Sequence, residues 1–365
     1  MRMVIWALCL GLALFGCADR SPDLPQTTST VRLAIIGQAL IEHDPRQYLD
    51  APLRTVAPIL SEADAVFTNL EVAVAGAQCE CERTRDDVFF HGAGPEVLDY
   101  LRDLGVSLMS LANNHAWDYG PEGVLSTIAE ADARGFAHSG TGADASVATA
   151  PAYLEIEGIT LALVSAASVN SPEGARATDQ APGVNMLDPN DSADWERNLA
   201  SIRLADESSD VVLVYQHYQT DAPSGWQESW ARAAVDAGAD IYVSHGEPTL
   251  AGVEIYNDGL ILYGLGNFIF HTRTEPGRYT SDVWESVVAE VELSAAGVRD
   301  VTFTPIALDP GTPGPLFFET RGYPEVPEGD FGESILYRLA ELSASYETSI
   351  EVQGGVATLQ VRSER

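Results

Sequence analysis

Five polar clusters recur along this sequence, each directly after a short apolar run. They are Gly37-Gln38 after VRLAII, Asn69-Leu70-Glu71 after AVFT, Asn113-Asn114-His115 after SLMSLA, Gln216-His217 after VVLVY, and Ser244-His245 after IYV. Imidazole and carboxylate together form the donor set of zinc, manganese or iron. A metal held by such groups can turn bound water into a nucleophile at neutral pH. A single histidine at a strand end is more often structural than ligating. Five polar clusters in the same local position, four of them carrying asparagine, glutamate or histidine, change that balance. The densest is Asn113-Asn114-His115-x-x-Asp118-x-Gly120.

The elements that must position these groups can be read from hydrophobic spacing. VRLAIIG, ADAVFTNLEVAV and VSLMSLANNH read as buried strands by length and apolar content. PEVLDYLRDLG and GPEGVLSTIAEADARG carry helical spacing and end in glycine. YLEIEG with ITLALVSAAS predicts a hairpin, DWERNLASIRLADESSD a helix, and VVLVYQHY a strand. WARAAVDAGAD predicts a helix, IYVSHG a strand, and GVEIYNDGLILYGLGNF a hairpin turning at Asn-Asp-Gly. WESVVAEVELSAAGVRDVTFTPI adds two strands. Helices alternating with buried strands, then consecutive strands, predict an α/β domain with mixed sheets, two of them face to face under helices. Ligand crevices in such folds form at the carboxyl ends of strands, where all five clusters fall.

Composition narrows the function classes. The chain has 365 residues, 45% of them hydrophobic, enough for a large core. Its net charge is −34, and all 20 basic residues are arginine. Such a surface repels phosphate backbones, so no nucleic-acid partner is expected. The absence of lysine is consistent with a GC-rich genome, with life in high salt where dense carboxylates are screened, or with both. There is no P-loop, no Ser-His-Asp order and no GxGxxG after the first strand.

SLANNHAWDYG resembles the ANNH-x-x-D-x-G motif of the CapA family of capsule synthesis proteins, and FTNLEV resembles their NLE motif. AGADIYVSHG followed by GVEIYNDGLILYGLGNFIF is similar to their GAD, HG and E-x-Y…Y-x-L-G-N-F segment. HSGTGADASVATAPAYLEIEG resembles the stretch that follows ANNH. The similarity runs in order over roughly residues 31 to 275. It implies a metallophosphoesterase-like α/β/β/α sandwich and a link to capsule or poly-γ-glutamate production. Carried over, Glu71, Asn114, His217 and His245 match metal ligands. His115 matches the histidine that protonates a leaving group, and Asp118 either orients it or caps a loop. Asn267 matches the asparagine of LGNF, a structural position.

Departures from the family pattern lower the expected metal content. The family commonly has Gly-Asp where this chain has Gly37-Gln38, and a second histidine where it has Pro248. A glutamate expected after the His217 position is at best Asp221. Gln38, His43, Asp44, Asn69 and Glu247 are the remaining residues that could contribute. The expectation is one divalent transition metal (Zn, Mn or Fe) at most. His91, His138 and His271 read as surface groups or as groups behind the ligands, and Trp226 with Trp230 as packing.

The N-terminus reads as an export signal. MRM precedes the apolar run VIWALCLGLALF, and Gly16-Cys17 follows, the pattern of a lipoprotein signal peptide. The expected organisation is a signal peptide over 1–16, a tether over 17–30, the main domain over 31–320 and an extension over 321–365 packed on it. Cys17 would carry the lipid and anchor the protein on the periplasmic face of the envelope, at the outer membrane rather than the inner in a Gram-negative cell. Cys79 and Cys81 in CEC form either a loop disulfide, a free thiol pair or part of a soft-metal site. Two functions follow. One is a metal-dependent hydrolase acting on a phosphoester or an amide-linked envelope polymer. The other is a non-catalytic accessory that binds or tethers a capsule polymer.

Overall fold

The computed structural model describes residues 30–50, 53–219, 225–311 and 314–361; the leader, Cys17 and Asp221 lie outside them. The principal elements begin with β1 (Thr30–Ile35), β2 (Gln38–Leu40), β3 (Ala65–Asn69), α1 (Glu96–Asp103), β4 (Val106–Ser110), α2 (Gly120–Asp132) and β5 (Ala137–Ser139). They continue with β6 (Ala152–Ile156), β7 (Ile159–Val169), α3 (Ser192–Asp206), β8 (Val211–Gln219), α4 (Trp226–Asp236) and β9 (Ile241–Gly246). The last are β10 (Val253–Tyr256), β11 (Gly259–Leu262), β12 (Asn267–Phe270), β13 (Glu285–Ser294), β14 (Gly297–Leu308), α5 (Asp330–Ala344), β15 (Glu351–Gln353) and β16 (Val356–Gln360).

These strands build two mixed sheets. The first runs β15–β16–β14–β13–β1–β3–β4–β5, and the short strand Pro324–Glu325 pairs with β14. The second runs β10–β11–β9–β8–β7–β6. Their central strands are parallel: β1, β3 and β4 in one sheet, with the edge strand β5 continuing the pattern, and β7, β8, β9 and β11 in the other. Both faces of these strands are covered, which is why they read as unbroken apolar runs. In β1, Leu33 and Ile35 enter the core between the sheets, together with Phe67, Leu213, Tyr215 and Val243. Ala34 and Ile36 pack on the opposite face with Val97, Leu98 and Leu101 of α1. On the outer face of the second sheet, Leu199 and Ile202 of α3 and Trp230 and Ala234 of α4 cover Val212, Val214 and Tyr242. The order of layers is therefore α/β/β/α, as expected. Trp226 and Trp230 are buried packing residues, with Trp195 meeting both edge-on.

The C-terminal segment is part of the same body. Ile335, Leu336 and Leu339 of α5 enter the core between the sheets, and β16 pairs with β14. The hairpin β10–β11 turns through Asn257 and Asp258 at φ of 48° and 68°, the left-handed backbone that a two-residue turn requires. ADAVFTNLEVAV departs from its reading as a single strand. The strand ends at Asn69; the Leu70 N–H still reaches Ser110 O at 3.0 Å, but the Glu71 N–H donates instead to Ala39 O at 2.9 Å. This turn lifts Glu71 over the strand ends. Cys79 and Cys81 form a disulfide. Among the described residues, no helix is long and apolar enough to cross a membrane.

Candidate active site

The carboxyl ends of β1, β3 and β4 meet those of β8 and β9 at one rim of the sandwich. His217 and His245 are direct register partners on β8 and β9. His217 Nε2 donates to Asn114 Oδ1 at 2.7 Å and lies 3.5 Å from Glu71 Oε1. Its Nδ1 accepts from the Tyr215 hydroxyl at 3.0 Å, with the Asn69 amide at 3.5 Å. Asn69 also accepts from Asn113 Nδ2 at 3.1 Å, and Asn113 Oδ1 accepts the His115 N–H at 2.9 Å. Asn69 and Asn113 therefore hold the strand-end loops in register around Asn114 and His115.

These groups line or underlie a cavity of about 810 Å³, whose wall includes Gln38, Glu71, Asn114, His115, Asp118 and Glu247. Glu71, Asn114, His115, His217 and His245 thus converge despite their wide separation in sequence. His115 Nδ1 donates to Asp118 Oδ2 at 2.9 Å, which fixes its neutral form with the Nε2 lone pair free. Among the described residues, Glu71 Oε2 and both ring nitrogens of His245 are buried without a hydrogen-bond partner. Buried polar atoms are normally paired, so these orphans mark a place suited to a ligand.

Burial sets the protonation of the site. It pushes the Glu71 carboxyl up to about 8, with the Asp118 charge adding to it. Asp118 is raised to about 6, again chiefly by burial. Burial, then the neighbouring imidazole, holds His217 and His245 down at about 3. His115 is lowered well below the ordinary histidine value by burial, then by His91 and Arg85. Burial thus disfavours the charged form of both the imidazoles and the carboxyl.

Gln38 lines the cavity, but its amide is already engaged. Its Nε2 donates to Asn267 Oδ1 at 2.8 Å, and its Oε1 accepts the Gly246 N–H at 3.1 Å. Asn267 in turn donates to Val283 O at 3.1 Å, so both residues tie strand ends together. Gly246 is required here: its φ is +113°, and a Cβ would lie 2.4 Å from Tyr218 O. His43 and Asp44, considered as substitute ligands, are engaged elsewhere. His43 Nε2 meets Tyr323 Oη and Glu319 O, both at 3.1 Å, and its ring stacks on His271. Asp44 pairs with Arg46 and caps the turn that follows. Their own loop carries them behind the cavity wall.

Of the two readings of His91 and His271, the surface one does not hold. Both are fully buried. His91 lines the cavity, its Nδ1 bonded to Glu42 Oε1 at 2.7 Å and its ring edge-on to that of His115. His271 Nδ1 accepts the Glu42 N–H at 3.1 Å. Neither Glu42 nor Arg85, which also lines the cavity, stood out in the sequence. Glu42 lies outside every strand-end cluster, and Arg85 sits in an exposed polar stretch with no periodicity. His138 bonds Asp132 at the surface.

The sequence profile of the bacterial capsule synthesis protein PGA_cap family matches residues 32–272. The chain belongs to this family. Among its relatives, PGA biosynthesis protein CapA of Bacillus subtilis (strain 168) is 31% identical over 73% of this chain and 67% of its own length. Capsule biosynthesis protein CapA of Bacillus anthracis is 28% identical over 80% of this chain and 69% of its own. A probable polyglutamine synthesis accessory protein of Mycobacterium tuberculosis is 28% identical over 57% of this chain. A solved structure of a hypothetical protein from Thermus thermophilus aligns with 75% of this chain and 98% of its own at 16% identity and a TM-score of 0.45. The PGA_cap match spans all five strand-end clusters, so the family region contains the whole rim described above.

Proposed function

We propose that this capsule-synthesis family member is a metal-dependent hydrolase of the cell envelope, acting on an amide-linked capsule polymer such as poly-γ-glutamate or on a phosphoester. The observation that carries this reading is the approach of His217 Nε2 to Asn114 Oδ1 (2.7 Å) and Glu71 Oε1 (3.5 Å), beside the unpartnered Glu71 Oε2 and His245 nitrogens. The donor chemistry fits one zinc, manganese or iron ion held by Glu71, Asn114, His217 and His245. Such an ion would supply Lewis acidity and an activated water. His115 carries the proton: its free Nε2 takes one up from water and returns it to the leaving group, while Asp118 holds the ring and steadies the charged form. Cys17 anchors the chain by lipid on the periplasmic side.

A second reading has its own support. Among the described residues there is no group of three or more histidine, cysteine, aspartate or glutamate side chains arranged to hold a metal. Gln38, where the family commonly has aspartate, is committed to Asn267 and Gly246. A non-catalytic accessory that binds the polymer in the same cavity would show these features. Elemental analysis of protein purified without chelator, with an assay of poly-γ-glutamate chain length, separates the two. Bound metal with chain shortening that His115→Ala abolishes supports the hydrolase; polymer binding with neither supports the accessory. Loss of lipid labelling in Cys17→Ser tests the anchor.

A further inference from the structure

The cavity contains two imidazoles, and only His115 has a role so far. His91 arrives on a different loop yet is built in the same way. Its Nδ1 is bonded to the buried Glu42 carboxylate at 2.7 Å, as His115 Nδ1 is bonded to Asp118 at 2.9 Å. The rings lie 4.4 Å apart, centroid to centroid, at 81°. The two pairs are also locked to each other, because Asp118 Oδ2 accepts the His91 backbone N–H at 2.7 Å. Glu42 is fixed from the far side by Arg273 Nε at 2.6 Å.

Buried polar groups are normally hydrogen-bonded. Among the described residues, His91 bonds through Nδ1 alone. A carboxylate can only accept, so Glu42 takes the Nδ1–H and leaves a lone pair at Nε2. No described residue bonds that Nε2, and His91 lines the cavity. Glu42, itself paired with Arg273, sets the tautomer that leaves the cavity-side nitrogen ready to accept a hydrogen bond.

We propose that His91 is a ligand-contacting residue of this cavity, oriented by Glu42 so that its Nε2 accepts a hydrogen bond from an N–H or O–H group of the ligand beside His115. The proposal rests on the reading of the cavity as the ligand site. Glu42 acts through His91 and is a positioning residue. The arrangement selects for a hydrogen-bond donor, such as an amide N–H, next to the bond that His115 faces.

The test is calorimetric titration of the full chain with a short γ-linked glutamate oligomer, for wild type, His91→Ala, Glu42→Gln and His115→Ala, together with ¹⁵N spectra of the histidines. His91→Ala should bind about tenfold more weakly or worse. Glu42→Gln, close in shape, lets an amide donate to Nδ1. It should convert His91 to the Nε2–H form in the spectrum and weaken binding similarly, and it decides the matter if His91→Ala does not fold. Wild-type affinity in both of these variants, with weakened binding in His115→Ala, overturns the role of His91 alone. Unchanged affinity in all three, or no binding by wild type, overturns the reading of the site and the proposal with it.

Discussion

Nε2 of His217 lies 2.7 Å from Oδ1 of Asn114, although 103 residues separate them in the chain. One sits at the end of a strand in the second sheet, the other on the loop after a strand in the first. The contact therefore spans the two halves of the sandwich. It makes His217 the group whose loss should empty the site. His217→Ala is expected to remove bound metal completely, and the wild type to hold no more than one ion per chain. Phosphatase turnover on an aryl phosphate should be weak or absent. Two ions per chain with robust turnover would mean that another residue, such as Glu247, completes the centre.

Metal binding should depend on pH through Glu71. Burial raises its carboxyl to about 8, so below that value a cation must displace a proton to be held. Apparent affinity should fall as pH drops from 8, by about tenfold per unit while this one proton is displaced. Glu71→Gln should flatten the dependence and weaken binding. Titration with zinc at pH 6, 7 and 8 measures both; a flat wild-type profile would place the carboxylate outside the coordination shell.

Asp194 offers a stability test away from the cavity. Burial pushes its carboxyl up, but hydrogen bonds from Arg176, the Asp188 N–H and Arg197 outweigh this and hold it below its ordinary 3.8. A depressed folded value means that the stabilisation is complete above the unfolded value and is lost as pH falls through the folded one. Asp194→Asn should destabilise the domain by about 2 kcal/mol at pH 7. The gap from wild type should close below about pH 4. Urea unfolding at pH 7 and pH 3 checks the sign.

Salt should stabilise the protein. A net charge of −34 repels itself across the surface, and added ions screen that repulsion. The melting temperature is expected to rise between low and molar NaCl. A flat or falling curve would show that the acidic surface is neutralised within the fold.

Much of this protein was determined by local pattern. The buried strands, the helices with their glycine stops and the Asn-Asp-Gly turn follow from hydrophobic spacing and backbone preference, which act within one element. The family motifs placed Glu71, Asn114, His115, His217 and His245 at strand ends, and strand ends of a layered α/β fold gather at one rim. What the chain alone could not decide was which of several polar residues turn toward that rim. Gln38 follows the first strand and lines the cavity, yet its amide is consumed by Asn267, 229 residues away, and by the Gly246 N–H. His43 follows the same first strand, but its loop stacks it on His271 behind the cavity wall. His91 looks peripheral in sequence and becomes part of the wall because Glu42, 49 residues earlier, reaches its Nδ1. Periodicity reports whether a residue is buried along its own element. The partner it meets there depends on sheet order and loop path, which only the assembled layers set.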